Sequence, residues 1–196
     1  MNLAAKIKRM PKLYRLFSLY GVPVLGSRGF IAVFSATNAA SIFLGAPSLL
    51  AASVVFFFLI LAHELGHASI ARRLGYRVTK IELHSWHGQC WYKGSEIFEY
   101  HEAIISWGGI AAQVLIAVPA FAYLALFGNT EFGIINLPLM VFSLINFTMM
   151  IGNLLPVKDL DGGKAWRVFP ILWQQRTQRM SRERRKPKTR HLGAAK

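Results

Sequence analysis

Residues 48–67 read SLLAASVVFFFLILAHELGH, and the order of the two halves constrains the rest of the chain. Residues 48–62 contain no charged side chain, and the five that follow bring two imidazoles and a carboxylate. An α-helix rises about 1.5 Å and turns about 100° per residue, so positions i and i+4 lie one above the other on a single face. His63 and His67 therefore aim at one point. Glu64 stands one residue round, within reach of a water on any metal the pair holds. This is the H-E-x-x-H logic of zinc hydrolases. Placed at the end of so apolar a helix, an acid and two histidines are costly in lipid without a partner. That favours a functional reading over two packed histidines and a snorkelling glutamate.

Composition points the same way. The 196 residues are 54% hydrophobic with a mean hydropathy of +0.36, yet the formal net charge is +14. These properties conflict in a soluble domain. They belong together in a membrane protein, whose apolar residues span lipid while basic ones crowd the cytoplasmic flanks. The length suits one compact membrane domain. The single cysteine, Cys90, excludes an intrachain disulfide framework. Basic charge is also a mark of nucleic-acid binding, but much of it here flanks apolar stretches, so no nucleic-acid partner is expected.

Working outward, residues 1–29 read as a basic amphipathic segment on an anionic membrane face. Lys6, Lys8, Arg9, Lys12 and Arg15 interleave there with Ile7, Leu13, Leu16 and Phe17. A secretory signal with 30–46 as its apolar core is the alternative; its length and the second span behind it argue for retention. Four spans are expected, at about 30–46, 48–73, 103–127 and 134–152. The second, about 39 Å long, exceeds the roughly 30 Å of hydrocarbon and puts Glu64 some 24 Å from its start. Residues 77–83, RVTKIEL, carry β-branched residues in rough alternation and, with 84–92 after them, read as a small hairpin or edge strand. His84, His87 and Cys90, spaced by three, suggest a second metal set, but with no fourth ligand at zinc spacing a hairpin loop is the better reading. Gln113 in the third span is either an interhelical hydrogen-bonding residue or a substrate contact. Residues 174–196 are polar and arginine-rich, expected to be disordered or laid on anionic lipid. The expected fold class is thus an all-α polytopic membrane protein with a small β element at the cytoplasmic face, its intramembrane domain spanning 30–173. Lys and Arg fill the N-terminus, the 72–93 connection and the tail, but are missing from the 46–48 and 128–133 turns. The positive-inside rule then sets both termini in the cytoplasm; if the source is prokaryotic, the membrane is the plasma or inner membrane.

A catalytic zinc keeps three protein ligands and one open position. Asp161 is the best third candidate: it follows the helix-breaking Pro156, adjoins Gly162 and Gly163, and arrives at the depth of the histidines. With Glu64 it would bring a divalent ion near neutrality, which lowers the cost of the set in lipid. Asp159 lies two residues away, and spacing alone does not choose between them. His63-Glu64-Leu65-Gly66-His67, taken with Asn153-x-x-Pro156-x-x-x-Leu160-Asp161-Gly162, resembles the site-2 protease family of intramembrane metalloproteases over roughly residues 48–173. The resemblance implies one zinc per chain on His63, His67 and Asp161. It implies Glu64 as catalytic acid/base and Asn153 as an aid to substrate or transition-state binding. It also implies a single-span membrane protein as substrate, docked on an edge of the 77–92 strands and cut near the cytoplasmic face. The family's middle motif, Gly-Pro-x-x-Asn, stands here as Gly109-Ile110-Ala111-Ala112-Gln113. It lacks the proline and has Gln for Asn, which leaves the part of Gln113 in substrate binding open. No PDZ-like or nucleotide-sensing segment is seen. The rival from another class is a non-catalytic adaptor or scaffold that binds transmembrane segments; the intact Glu64 argues against it. A membrane metalloprotease of another family, with a glutamate as third ligand, is disfavoured by the Asp161 motif.

Overall fold

The computed structural model describes residues 12–158 and 160–185. The chain enters as a hairpin of β1 (Leu13–Leu19) and β2 (Val22–Ser27). Its two-residue turn, Tyr20-Gly21, has both φ angles positive, at 48° and 78°, the backbone that matches the twist of antiparallel strands. This corrects the amphipathic reading of the N-terminal segment for residues 13–27; residues 1–11 lie outside the described residues. Alternating basic and apolar residues suit a surface helix and an edge strand alike, and the partner strand decides between them. For β1 that partner is the adjacent β2, but the partner of β2 in turn is remote. β2 runs parallel to β3 (Arg77–Leu83), pairing Val24 with Ile81 and Gly26 with Leu83. β4 (Gly88–Lys93) returns antiparallel to β3, so the sheet order is β1-β2-β3-β4. Pro23, which has no N–H to give, sits just outside the β2–β3 ladder. The protein is mostly helical, as expected, but carries a four-stranded sheet where a hairpin or edge strand was expected. Val24, Ile81 and Leu83, fully buried, form part of its core.

Among the described residues five long helices follow, rather than four. They are α1 (Arg28–Phe43), α2 (Pro47–Arg73), α3 (Glu99–Phe127), α4 (Gly133–Leu154) and, after the short α5 (Asp161–Ala165), α6 (Val168–Arg185). Among the described residues, α2, α3 and α4 are long and apolar enough to cross a membrane. The expected first span is not: α1 has 16 residues, about 24 Å against roughly 30 Å of hydrocarbon. Its direction is nonetheless fixed. β2 and β3 are neighbours, so α1 leaves the sheet and α2 comes back to it through the turn at 44–46. Ser27 starts α1 by accepting a hydrogen bond from the Phe30 N–H, 3.1 Å away. Pro138 interrupts α4, and the next turn, Val141–Ile145, widens to π geometry. Residues 174–185, expected to be disordered or laid on anionic lipid, are helical as part of α6; residues 186–196 lie outside the described residues.

α2 and α3 cross at close range. A Cβ on Gly108 would stand 2.6 Å from the Gly66 carbonyl oxygen and 2.8 Å from Ile70 Cγ1. Lipid tails are as apolar as leucine, so helices associate in a membrane by such close packing rather than by hydrophobic exclusion. Gly108→Ala is therefore expected to destabilise the detergent-solubilised protein by about 1–3 kcal/mol in denaturant unfolding. Gly152→Ala, where a Cβ meets open space, should cost nothing. Equal midpoints for the two variants would refute the crossing.

Candidate metal centre

His63, Glu64 and His67 are all buried on α2. The chain comes back to them after α4, where the segment 155–160 delivers Asp161 at the start of α5. His63 Nε2 and Asp161 Oδ2 are 2.8 Å apart, His63 Nε2 and His67 Nε2 3.0 Å, and His67 Nε2 and Asp161 Oδ2 3.2 Å. The far side of His67 is fixed by α3, where its Nδ1–H donates to the Ile105 carbonyl at 2.8 Å. That bond sets the tautomer and leaves the Nε2 lone pair facing the other two atoms. Gly109 lets both rings lie against α3; a Cβ there would be 2.5 Å from His67 Nε2 and 2.6 Å from His63 Cε1. Burial pushes the Asp161 carboxyl up, but the two imidazoles beside it outweigh that and hold it below the usual carboxylate range.

The donor set fits a small divalent cation. Two ligands at about 2.0–2.1 Å from a tetrahedral zinc stand roughly 3.3 Å apart, and the three pairs here, at 2.8, 3.0 and 3.2 Å, lie at or up to about half an ångström inside that spacing. Among the described residues these three form the one group of His, Cys, Asp and Glu donors that could share a metal. His84 and His87 instead stack on each other, ring centroids 4.9 Å apart, and do not form a second such group with Cys90. His63 Nδ1 and Glu64 Oε2 are buried without a hydrogen-bond partner among the described residues.

Beside the three donors lies a cavity of ≈ 550 Å³, bounded by α2, by α4 and by the hairpin of β3 and β4. Gly88, Gln89, Cys90 and Tyr92 line it from β4, the edge strand on that side of the sheet. Gly88 lies directly on the Glu64 side chain, where a Cβ would be 2.6 Å from Cδ. The Cys90 backbone N–H donates to the Glu64 carboxylate.

Asn153 lines the cavity, whereas Gln113, 1% exposed, is buried behind it. Gln113 Oε1 accepts from Asn153 Nδ2 at 3.5 Å, and Asn146 Nδ2 donates to the Gln113 backbone carbonyl at 2.9 Å. Asp159, the alternative ligand, falls outside the described residues. Sequence reasoning missed Asn146, the Ile105 carbonyl and Gly88. No motif marks the first two, and Gly88 carries only the ordinary signature of a turn.

The solved "Site-2 Protease from Methanocaldococcus jannaschii" is similar in structure, with a TM-score of 0.66 over 81% of this chain and 71% of that one at 24% sequence identity. No protein-family model matches the chain, and no curated protein does. The fold is therefore site-2 protease-like.

The hairpin's closure over Glu64 has a chemical signature. Burial pushes the Cys90 thiol up, helped by the Glu64 carboxylate, to about 12. At pH 8 its thiolate fraction is then roughly a thousandfold below that of an ordinary cysteine. Alkylation by N-ethylmaleimide is expected to run at least about a hundredfold slower in the folded protein than in denaturant. Equal rates would mean that the hairpin is open.

Proposed function

We propose that the chain is a zinc-dependent intramembrane endopeptidase of the site-2 protease type, cleaving transmembrane segments of membrane proteins near the cytoplasmic face. One observation carries the reading. Residues 98 positions apart, His63 and Asp161, meet with His67 at a cavity that also holds Glu64 and an open strand edge. His63, His67 and Asp161 would hold one zinc. Bound there, zinc supplies Lewis acidity, lowering the pKa of a water and polarising a carbonyl.

The rest falls to the chain's own groups. Glu64 accepts the proton from the attacking water and returns it to the leaving amine, both from one carboxylate held by the Cys90 N–H. β4 offers its free edge to an extended substrate, whose backbone can hydrogen-bond to it as a further strand. A transmembrane helix hides its carbonyls in internal hydrogen bonds, so the substrate must unwind before it can pair. Asn153, on the cavity wall, is placed to hold the substrate carbonyl, with Gln113 acting from behind it. In this reading substrates are single-span proteins weakened near the cytoplasmic side. Both termini face the cytoplasm, where their basic residues meet anionic lipid.

Purified protein is expected to contain about one zinc per chain, most of it lost in Asp161→Ala and retained in Glu64→Gln. With a panel of single-span membrane proteins in proteoliposomes, Glu64→Gln should lower cleavage by about 10²–10⁴-fold while leaving substrate association intact. Undiminished cleavage by that variant would sink the mechanism. A wild type that binds such substrates and cuts none would favour the scaffold instead.

A further inference from the structure

Two of the three donors sit on a rigid transmembrane helix, but the third does not. α5 has only five residues, and no side chain caps its start. The segment before it is held by isolated turns, such as the Val157 N–H to the Leu155 carbonyl at 2.7 Å and the Leu160 N–H to the Val157 carbonyl at 3.0 Å. Something else must keep Asp161 within 3.2 Å of both imidazoles.

Two indoles flank that segment. Trp166, just past α5, donates its Nε1–H to the Leu154 carbonyl at 2.6 Å, closing the chain from the end of α4 to the end of α5 into a loop. Leu154 is the last residue of α4, so its carbonyl has no partner further along that helix. Trp107 on α3 donates its Nε1–H to the Ala165 carbonyl at 3.1 Å, tying the buried end of α5 to the bundle. The two rings meet edge to face, centroids 5.8 Å apart at 75°. Trp107 lies on the same turn of α3 as Ile105, whose carbonyl fixes His67, and Gly109, against which both imidazoles rest. Tryptophans that merely anchor a helix at a membrane interface sit at the headgroup level with their polar edge toward water. Both of these donate instead to backbone carbonyls that bracket Asp161.

We propose that Trp107 and Trp166 are positioning residues that clasp the Asp161 segment to the turn of α3 supporting the histidines, and so set the zinc affinity of the site. The proposal rests on the reading above that His63, His67 and Asp161 hold zinc. Loss of an outer partner that orients a ligand typically costs 10–100-fold in metal affinity. Phenylalanine keeps most of the ring and removes only the N–H.

The test is zinc affinity of the full-length protein in detergent, read by competition with a chromophoric chelator. Trp107→Phe and Trp166→Phe are each expected to weaken zinc by about 10–100-fold, while the helical content of the metal-free protein stays unchanged. Trp173→Phe, an exposed indole on α6, is the control and should bind as the wild type does. A double-mutant cycle separates positioning from general packing. In an Asp161→Ala background, Trp107→Phe should cost nothing further, because the ligand it acts through is gone. Wild-type affinity in both indole variants, or an undiminished loss in the Asp161→Ala background, would overturn the clasp. Trp166→Phe, on the more exposed indole, keeps the test decisive should Trp107→Phe disturb the bundle. A wild type that binds no zinc would instead overturn the metal reading itself, and the clasp with it.

Discussion

The close approach of α2 and α3 at Gly66 and Gly108 is the constraint on which the site depends. Helix axes usually run 8–10 Å apart, the separation set by the side chains between them. With no side chain on either residue, the backbones come close enough for the Gly108 Cβ position to fall 2.6 Å from the Gly66 carbonyl oxygen. That proximity lets the Ile105 carbonyl reach His67 Nδ1 and lets both imidazoles rest on Gly109. A methyl group at either crossing glycine would move the turn of α3 away from the rings it orients. Helix packing and donor geometry are therefore one problem here, solved by the same residues.

Electrostatics adds a second constraint. A buried carboxylate and two buried imidazoles are costly in a low-dielectric setting unless they are paired. Asp161 supplies one partner, at 2.8 and 3.2 Å from the ring nitrogens. Glu64 gains the Cys90 N–H only because β4 lies over α2, and β4 can lie so close because residue 88 is glycine. The sheet is thus the wall that dries one side of the carboxylate. Its edge position also leaves backbone hydrogen-bonding groups of β4 facing the cavity.

What the sequence disclosed follows the range of the interactions involved. His63, Glu64 and His67 are set by a four-residue spacing within one helix, and a helix has one geometry, so their shared face was legible. The apolar runs of α2, α3 and α4 were legible for the same reason. β1 and β2 were not. The hairpin itself is local, but its place in the sheet depends on Val24 meeting Ile81, more than fifty residues away and across two helices. Local alternation at Lys12–Leu19 fits a surface helix as well as a strand. α1 was read as a span from its apolarity, yet its 16 residues are set by the sheet before it and the turn after it. Gln113 was noticed for its polarity, but its burial behind Asn153 depends on Asn146 from another helix. The bonds from Trp107 and Trp166 end on backbone carbonyls, which no side-chain pattern encodes.

The same division by range separates the two halves of the donor set. The half on α2 exists as soon as the helix does, because i and i+4 stack wherever a helix forms. The half carried by Asp161 exists only after α4 has run back along the bundle and the 154–166 loop has closed. Between them the chain must order 98 positions, and most of that ordering is driven by helix packing rather than by the donors. A cation held by all three would add its binding free energy only to the fully assembled state, since an unfolded chain offers no such convergence. Binding of that kind stabilises most strongly whatever step is least secure without it. In this chain that step is the docking of a five-residue helix and an irregular segment, not the crossing of α2 and α3.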